Sequence, residues 1–168
     1  MVVALGIYMT GARIDAALLS DTGAIDARAA DELGDIIRFA AGDGAVAPTR
    51  MAVAHPGWWS PWDVDRLLRD VRAADLAVDR YFTAGEAAAR WTRHTEGRPP
   101  DGVAMVRDLT PGQAHDTLLR VDGSAIDIVG AFDGRRCIPD VVSTVTVGVP
   151  GSPWEHAVAL GAALAVLG

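Results

Sequence analysis

The stretch His55-Pro56-Gly57-Trp58-Trp59-Ser60-Pro61-Trp62, read together with what flanks it, decides how this 168-residue chain folds. It is entered from Met51-Ala52-Val53-Ala54, a short apolar run of the kind buried in a parallel sheet. Ser60 followed by Pro61 and Asp63 is a capped helix start, and Val64, Leu67, Leu68 and Val71 supply that helix with an apolar stripe. Ala77–Phe82 reads as a returning strand. Thr83 with Glu86 reads as a second capping box, opening an Ala-rich helix through Trp91. The order is therefore strand, aromatic loop, helix, strand, helix.

Upstream, Val2–Tyr8 and Arg13–Leu19 are β-like runs joined by Met9-Thr10-Gly11-Ala12, a short hairpin connection, and Asp21-Thr22-Gly23 turns the chain into Ala24–Arg28. These predict a three-stranded antiparallel meander. From Ala30 to Ala41, Leu33, Ile36, Ile37 and Ala40 fall on one helical face, and Gly42-Asp43-Gly44 ends that helix. Downstream, Arg98-Pro99-Pro100-Asp101-Gly102 cannot continue a helix and marks a boundary between residues 1–97 and 102–168 of one domain. Val103–Arg107, Asp116–Val121 and Ala125–Val129 follow as a second meander with Asp122-Gly123 as a hairpin turn. A β-rich patch from Val141 to Val149 and a small-residue helix from Trp154 to Leu167 close the chain. The second meander echoes the first.

Composition removes several classes of function. A net charge of −7 disfavours the counterion release that carries nucleic-acid affinity, so nucleic acid and anionic membrane are not expected partners. No run reaches the roughly 18 apolar residues that span a bilayer, and Met1–Ile7 lacks a basic n-region, which predicts a cytoplasmic domain. All 15 positive side chains are arginine, so no lysine exists to reach a phosphate or form a Schiff base. The lone Cys137 excludes an internal disulfide and reads as a small, partly buried hydrophobe. His55, His94, His115 and His156 are scattered without zinc-ligand spacing, so no metal is expected, and each reads as structural or solvated. His115-Asp116 lacks the nucleophile motif that acid–base hydrolysis would need.

A meander followed by strand, helix, strand, helix is the ribonuclease H-like plan, and the segment from Val53 to Trp91 resembles that of heat-shock-chaperone ATPases and the wider actin-like superfamily. The resemblance implies an α/β fold of two such units facing each other across a nucleotide. It places a first phosphate loop at Gly6–Gly11, a second at Asp108–Gln113, and the family's last helix at Pro153–Ala163. The stretch from Gly130 to Ser152 is too short for a full second lobe, so that lobe is expected to be truncated. The family's chemistry needs acids that organise a metal-bound water, and turns that let backbone N–H groups approach phosphate. Here the first-loop acid falls at Tyr8 and the acid after the fifth strand at Ala84, while Asp108 survives. Thr110 and Pro111 replace paired glycines, and Pro111 removes a donor N–H. The Gly-rich adenosine segment has no match. The resemblance therefore implies a degenerate, non-hydrolysing pseudo-ATPase without a resident cofactor.

Three classes of function follow. The first is a non-catalytic adaptor or scaffold working by protein contact, as a homodimer or on secretion machinery. The Trp-Trp pattern and Ala/Arg-rich composition resemble type VII secretion-associated proteins of actinobacteria. Trp58 and Trp59 match core aromatics of the related family, whereas Trp62 is in excess of that pattern and reads as an interface anchor. The apolar segment Val141–Leu167 is expected to need a cover from outside. The second class is a module that binds ATP or ADP without hydrolysis, with Thr10, Gly11, Asp108 and Gly112 as contacts. The third is a residual enzyme.

Overall fold

Near-continuous apolar runs in the first two strands of the meander bury both of their faces, and the chain builds a separate helical layer on each face. The computed structural model describes residues 2–11, 13–41, 47–97, 99–110, 113–152 and 154–168. β1 (Val3–Met9), β2 (Ile14–Ser20) and β3 (Gly23–Ala30) form the expected antiparallel meander; β4 (Arg50–His55) and β5 (Arg80–Thr83) add in parallel, in the order β3-β2-β1-β4-β5. Val3, Leu5 and Ile7 point to the outer side, where α1 (Leu33–Ala41) contributes Ile36 and Phe39, and α2 (Pro61–Ala73) contributes Leu67 and Val71. Burying each such side chain is worth about 1.5–3 kcal/mol. The side chains of Ile37 and Ala40 lie outside the described ones.

Ala4, Gly6 and Tyr8 point to the inner side, onto α4 (Ala157–Leu167). This helix is apolar on all sides, as a helix enclosed by protein must be. The approach is close: a Cβ on Gly6 would stand 1.8 Å from the Ala159 carbonyl oxygen. α3 (Ala84–Glu96) lies beside α4 with equally small residues, and a Cβ on Gly161 would stand 1.8 Å from the Ala87 carbonyl oxygen. β6 (Gly102–Thr110), β7 (Gln113–Asp122), β8 (Ala125–Asp133) and β9 (Ser143–Val147) form a second sheet of order β8-β7-β6-β9 over α3. The layers run α1/α2, first sheet, α3/α4, second sheet.

The caps act largely as expected. Ser60 and Asp63 make a full capping box on α2, and Gly97 ends α3 in the left-handed conformation. Thr83 caps α3 through the Glu86 N–H, but the Glu86 carboxylate turns to Arg90 at 2.9 Å, so only half of that box forms. Cys137 is exposed rather than partly buried. The segment Val141–Leu167 needs no outside cover where it forms α4, because that helix is enclosed between α3 and the first sheet; Val142 and Val149 remain exposed. Among the described residues, no helix is long and apolar enough to cross a membrane.

Candidate functional site

Period-2 alternation carries four polar side chains onto the inner faces of the two sheets, where they meet. Asp15 stands in phase with Ala17 and Leu19, and Asp108 in phase with Ala104 and Val106; both carboxylates are buried. His115 lies in phase with Leu119 and Val121, and Tyr8 lies in phase with Ala4. The Tyr8 hydroxyl donates to Asp108 Oδ2 across the two sheets, between residues one hundred positions apart. Asp108 Oδ1 is buried with no hydrogen-bond partner among the described residues. Around this pair, Arg13 bridges Asp15 at 2.8 Å and Glu155 at 2.9 Å, while His156 Nδ1 lies 3.6 Å from Asp15.

Burial sets the electrostatics. It raises the Asp108 carboxyl above the ordinary range, with the Tyr8 hydrogen bond and His115 opposing and Asp15 adding to the rise. Burial likewise raises Asp15 against the pull of Arg13, and holds Tyr8 well above the usual phenol range with help from Asp108. One lid of the cluster is aromatic. Trp58 stacks on His115 with ring centroids 4.1 Å apart, so the loop entering α2 reaches the second sheet. This corrects the expectation of core packing for Trp58, which is 39% exposed; Trp59 is packed against the outer core and stacks near His55. Trp62 is 68% exposed, with Arg69 over its ring at 5.4 Å.

Small residues bring the units together beside this cluster. A Cβ on Gly85 would stand 2.7 Å from Thr117 Cβ, and one on Gly57 would stand 3.2 Å from Thr117 Oγ1. Ala84, at the position of the family's second acid, is buried. Thr10 serves its own hairpin: its hydroxyl donates to the Arg13 carbonyl at 3.0 Å and accepts from the Arg13 N–H at 2.9 Å. Gly11 is exposed at the tip of that hairpin. Pro111 and Gly112 lie outside the described residues.

Among the described residues, two features oppose the metal–nucleotide pair that this type of fold implies. The phenol at the first-loop position engages one oxygen of the surviving acid, and Gly85 against Thr117 leaves no gap for a ligand between the units at that point. Among the described residues, no group of three His, Cys, Asp or Glu side chains could hold a metal. The sequence reading missed Asp15, His115 and His156 as members of one cluster. The signal was present as polar residues in phase with an apolar face.

No protein-family model and no curated protein matches the sequence. Among solved structures, the chain is similar to YeaZ from Pseudomonas aeruginosa, at 12% identity over 86% of this chain and 75% of that one, with a TM-score of 0.50. It is also similar to the ethanolamine utilization protein EutJ from Carboxydothermus hydrogenoformans, at 16% identity over 78% of this chain, with a TM-score of 0.54. The chain spans 51% of that EutJ chain. Both neighbours have the actin-like ATPase, ribonuclease H-like fold, and that is the fold of this chain. Fold alone does not carry activity.

Proposed function

We propose that the chain is a non-catalytic actin-like adaptor or scaffold that acts by protein contact. The observation that carries the reading is the direct Tyr8–Asp108 hydrogen bond, which commits the surviving acid of the second loop to the phenol in the first. The bond takes one carboxylate oxygen, and the other, Oδ1, is buried among the packed faces of the two sheets. The exposed indole of Trp62 is the anchor we assign to the contact, since large aromatics held at a surface are the residues on which interfaces concentrate their energy. Placement in the cytoplasm on a type VII secretion-type assembly is the narrower form of the proposal, supported by the aromatic loop and composition. A homodimer is its other form, which has lost the support of an uncovered closing helix.

The test is a thermal-shift series with ATP, ADP and magnesium. A ligand that binds only the folded state raises stability with the logarithm of its concentration over its dissociation constant. No rise is expected. A saturable rise that Asp108→Ala abolishes would replace the adaptor with a nucleotide-binding module, and magnesium-dependent phosphate release would restore the enzyme reading.

A further inference from the structure

The two sheets follow one strand plan until the first gains a strand that has no counterpart among the described residues of the second. β5 lies parallel to β4, with Arg80 opposite Ala52, Tyr81 opposite Val53 and Phe82 opposite Ala54. Ala52, Val53 and Ala54 pair with Gly6, Ile7 and Tyr8 of β1; Val145, Thr146 and Val147 pair with Val106, Arg107 and Asp108 of β6. β9 therefore occupies the place of β4. Among the described residues, no strand pairs with its outer side.

Exposed strand edges invite pairing with another chain, and proteins blunt them with charge, proline, bulges or short length. β3 carries Asp26, Arg28 and a register break; β8 carries Asp127, Asp133 and a register break; β5 has four residues and includes Arg80. β9, Ser143-Thr144-Val145-Thr146-Val147, carries no charge, proline or register break, and four of its five residues are β-branched. Beside it runs a groove of about 140 Å³, lined by Thr144, Val145 and Thr146, by Thr92 and Glu96 of α3, and by Trp154.

We propose that the outer edge of β9 docks an extended segment of a protein partner, laid parallel as β5 lies on β4. The segment carries a basic residue to meet Glu96 and a large apolar residue two positions later. Charge selects this occupant. Glu96 is exposed, is the one charged side chain lining the groove, and has no ion-pair partner among the described residues. A second copy would bring β9, which has no cation, on a chain of net charge −7. The internal precedent agrees: β5 presents Arg80 and then buries Phe82 at 3% exposure. Main-chain pairing supplies affinity in such strand addition, and alternate side chains supply specificity. The inference deepens the protein-contact reading and rests on it for the existence of a partner, but uses a surface separate from Trp62.

The probe is the capped peptide acetyl-Val-Arg-Tyr-Phe-Thr-amide, with a version carrying Glu in place of Arg, titrated into the full chain with calorimetry and amide exchange. Expected are binding of the Arg peptide with slowed exchange in β9, at least about threefold weakening by Glu96→Arg, and a switch of that variant to the Glu peptide. Trp62→Ala should leave peptide binding unchanged, so failure here is separate from loss of a Trp62-dependent contact. No slowing in β9 at millimolar peptide would overturn the proposal, as would affinity indifferent to Glu96→Arg. Concentration-dependent dimerisation abolished by Thr144→Lys would overturn it in favour of a second copy.

Discussion

The two sheets are built to the same register and secured by different physics. Ala4, Leu5 and Tyr8 pair with Leu19, Leu18 and Asp15 in the first; Ala104, Met105 and Asp108 pair with Leu119, Leu118 and His115 in the second. Even the register breaks coincide, between Leu18 and Leu19 and between Leu118 and Leu119. After its third strand, the first unit crosses back through α1, which buries Ile36 and Phe39. The second crosses back through residues 134–142, which are held to the outer face by polar contacts. Arg107 makes two bonds to Asp116, at 2.7 and 2.8 Å, and the Arg136 N–H donates to the same carboxylate at 2.6 Å. A crossover without a helix has little apolar surface to bury, so a charge pair between buried Asp116 and half-buried Arg107 takes over the fastening.

Replacing that fastening should have the largest effect. Asp116→Ala removes the bonds from both Arg107 and the Arg136 N–H and is expected to cost about 3 kcal/mol in denaturant unfolding, with faster amide exchange concentrated in residues 130–142. Exchange rising equally in both sheets would show that the second unit is not secured separately. Ile36→Ala, the apolar counterpart in the first unit, should cost about 3 kcal/mol through the cavity it leaves.

The helical layer sharpens the contrast. α4 sits on the backbone of β1 at Gly6, whereas Val106 occupies the corresponding position on β6. Gly6→Ala is expected to destabilise by about 2–3 kcal/mol because backbone must move, and Val106→Ala by about 1–2 kcal/mol because atoms are only removed. Equal costs would mean that the close approach of α4 is not what distinguishes the first sheet.

Acidity probes the place where the units touch. Burial raises Asp108 in the folded chain, so its contribution to stability is fully present below the ordinary aspartate value near 3.9 and is lost as pH rises through the raised one. Asp116 has the opposite sign: burial pushes it up, but its bonds from Arg107 and Arg136 together hold it down, so its contribution is lost as pH falls. Asp108→Asn should therefore shrink the fall in melting temperature between pH 4 and pH 7. An unchanged profile would assign that fall to Asp15.

The smallest effect concerns the anchor. Trp62→Ala should change stability by less than about 0.5 kcal/mol while weakening a partner contact, as expected for an indole that is 68% exposed. A larger loss of stability would place Trp62 in the fold's own packing.

Local sequence is enough to place the elements: the two meanders, the parallel return at β4, the helix starts at Ser60 and Thr83, and the absence of lysine chemistry. These are legible because alternation, capping and composition are settled within a few neighbouring residues. Tertiary structure alone decided the rest. α3 leaves the first unit to pack on the second sheet, and α4 leaves the second unit to pack on the first sheet, an exchange no local pattern encodes. The same holds for Tyr8 meeting Asp108, for Trp58 leaving the core to stack on His115, and for the open edge of β9. Each is a relation between distant segments, fixed only when two sheets close on a shared layer of small-residue helices.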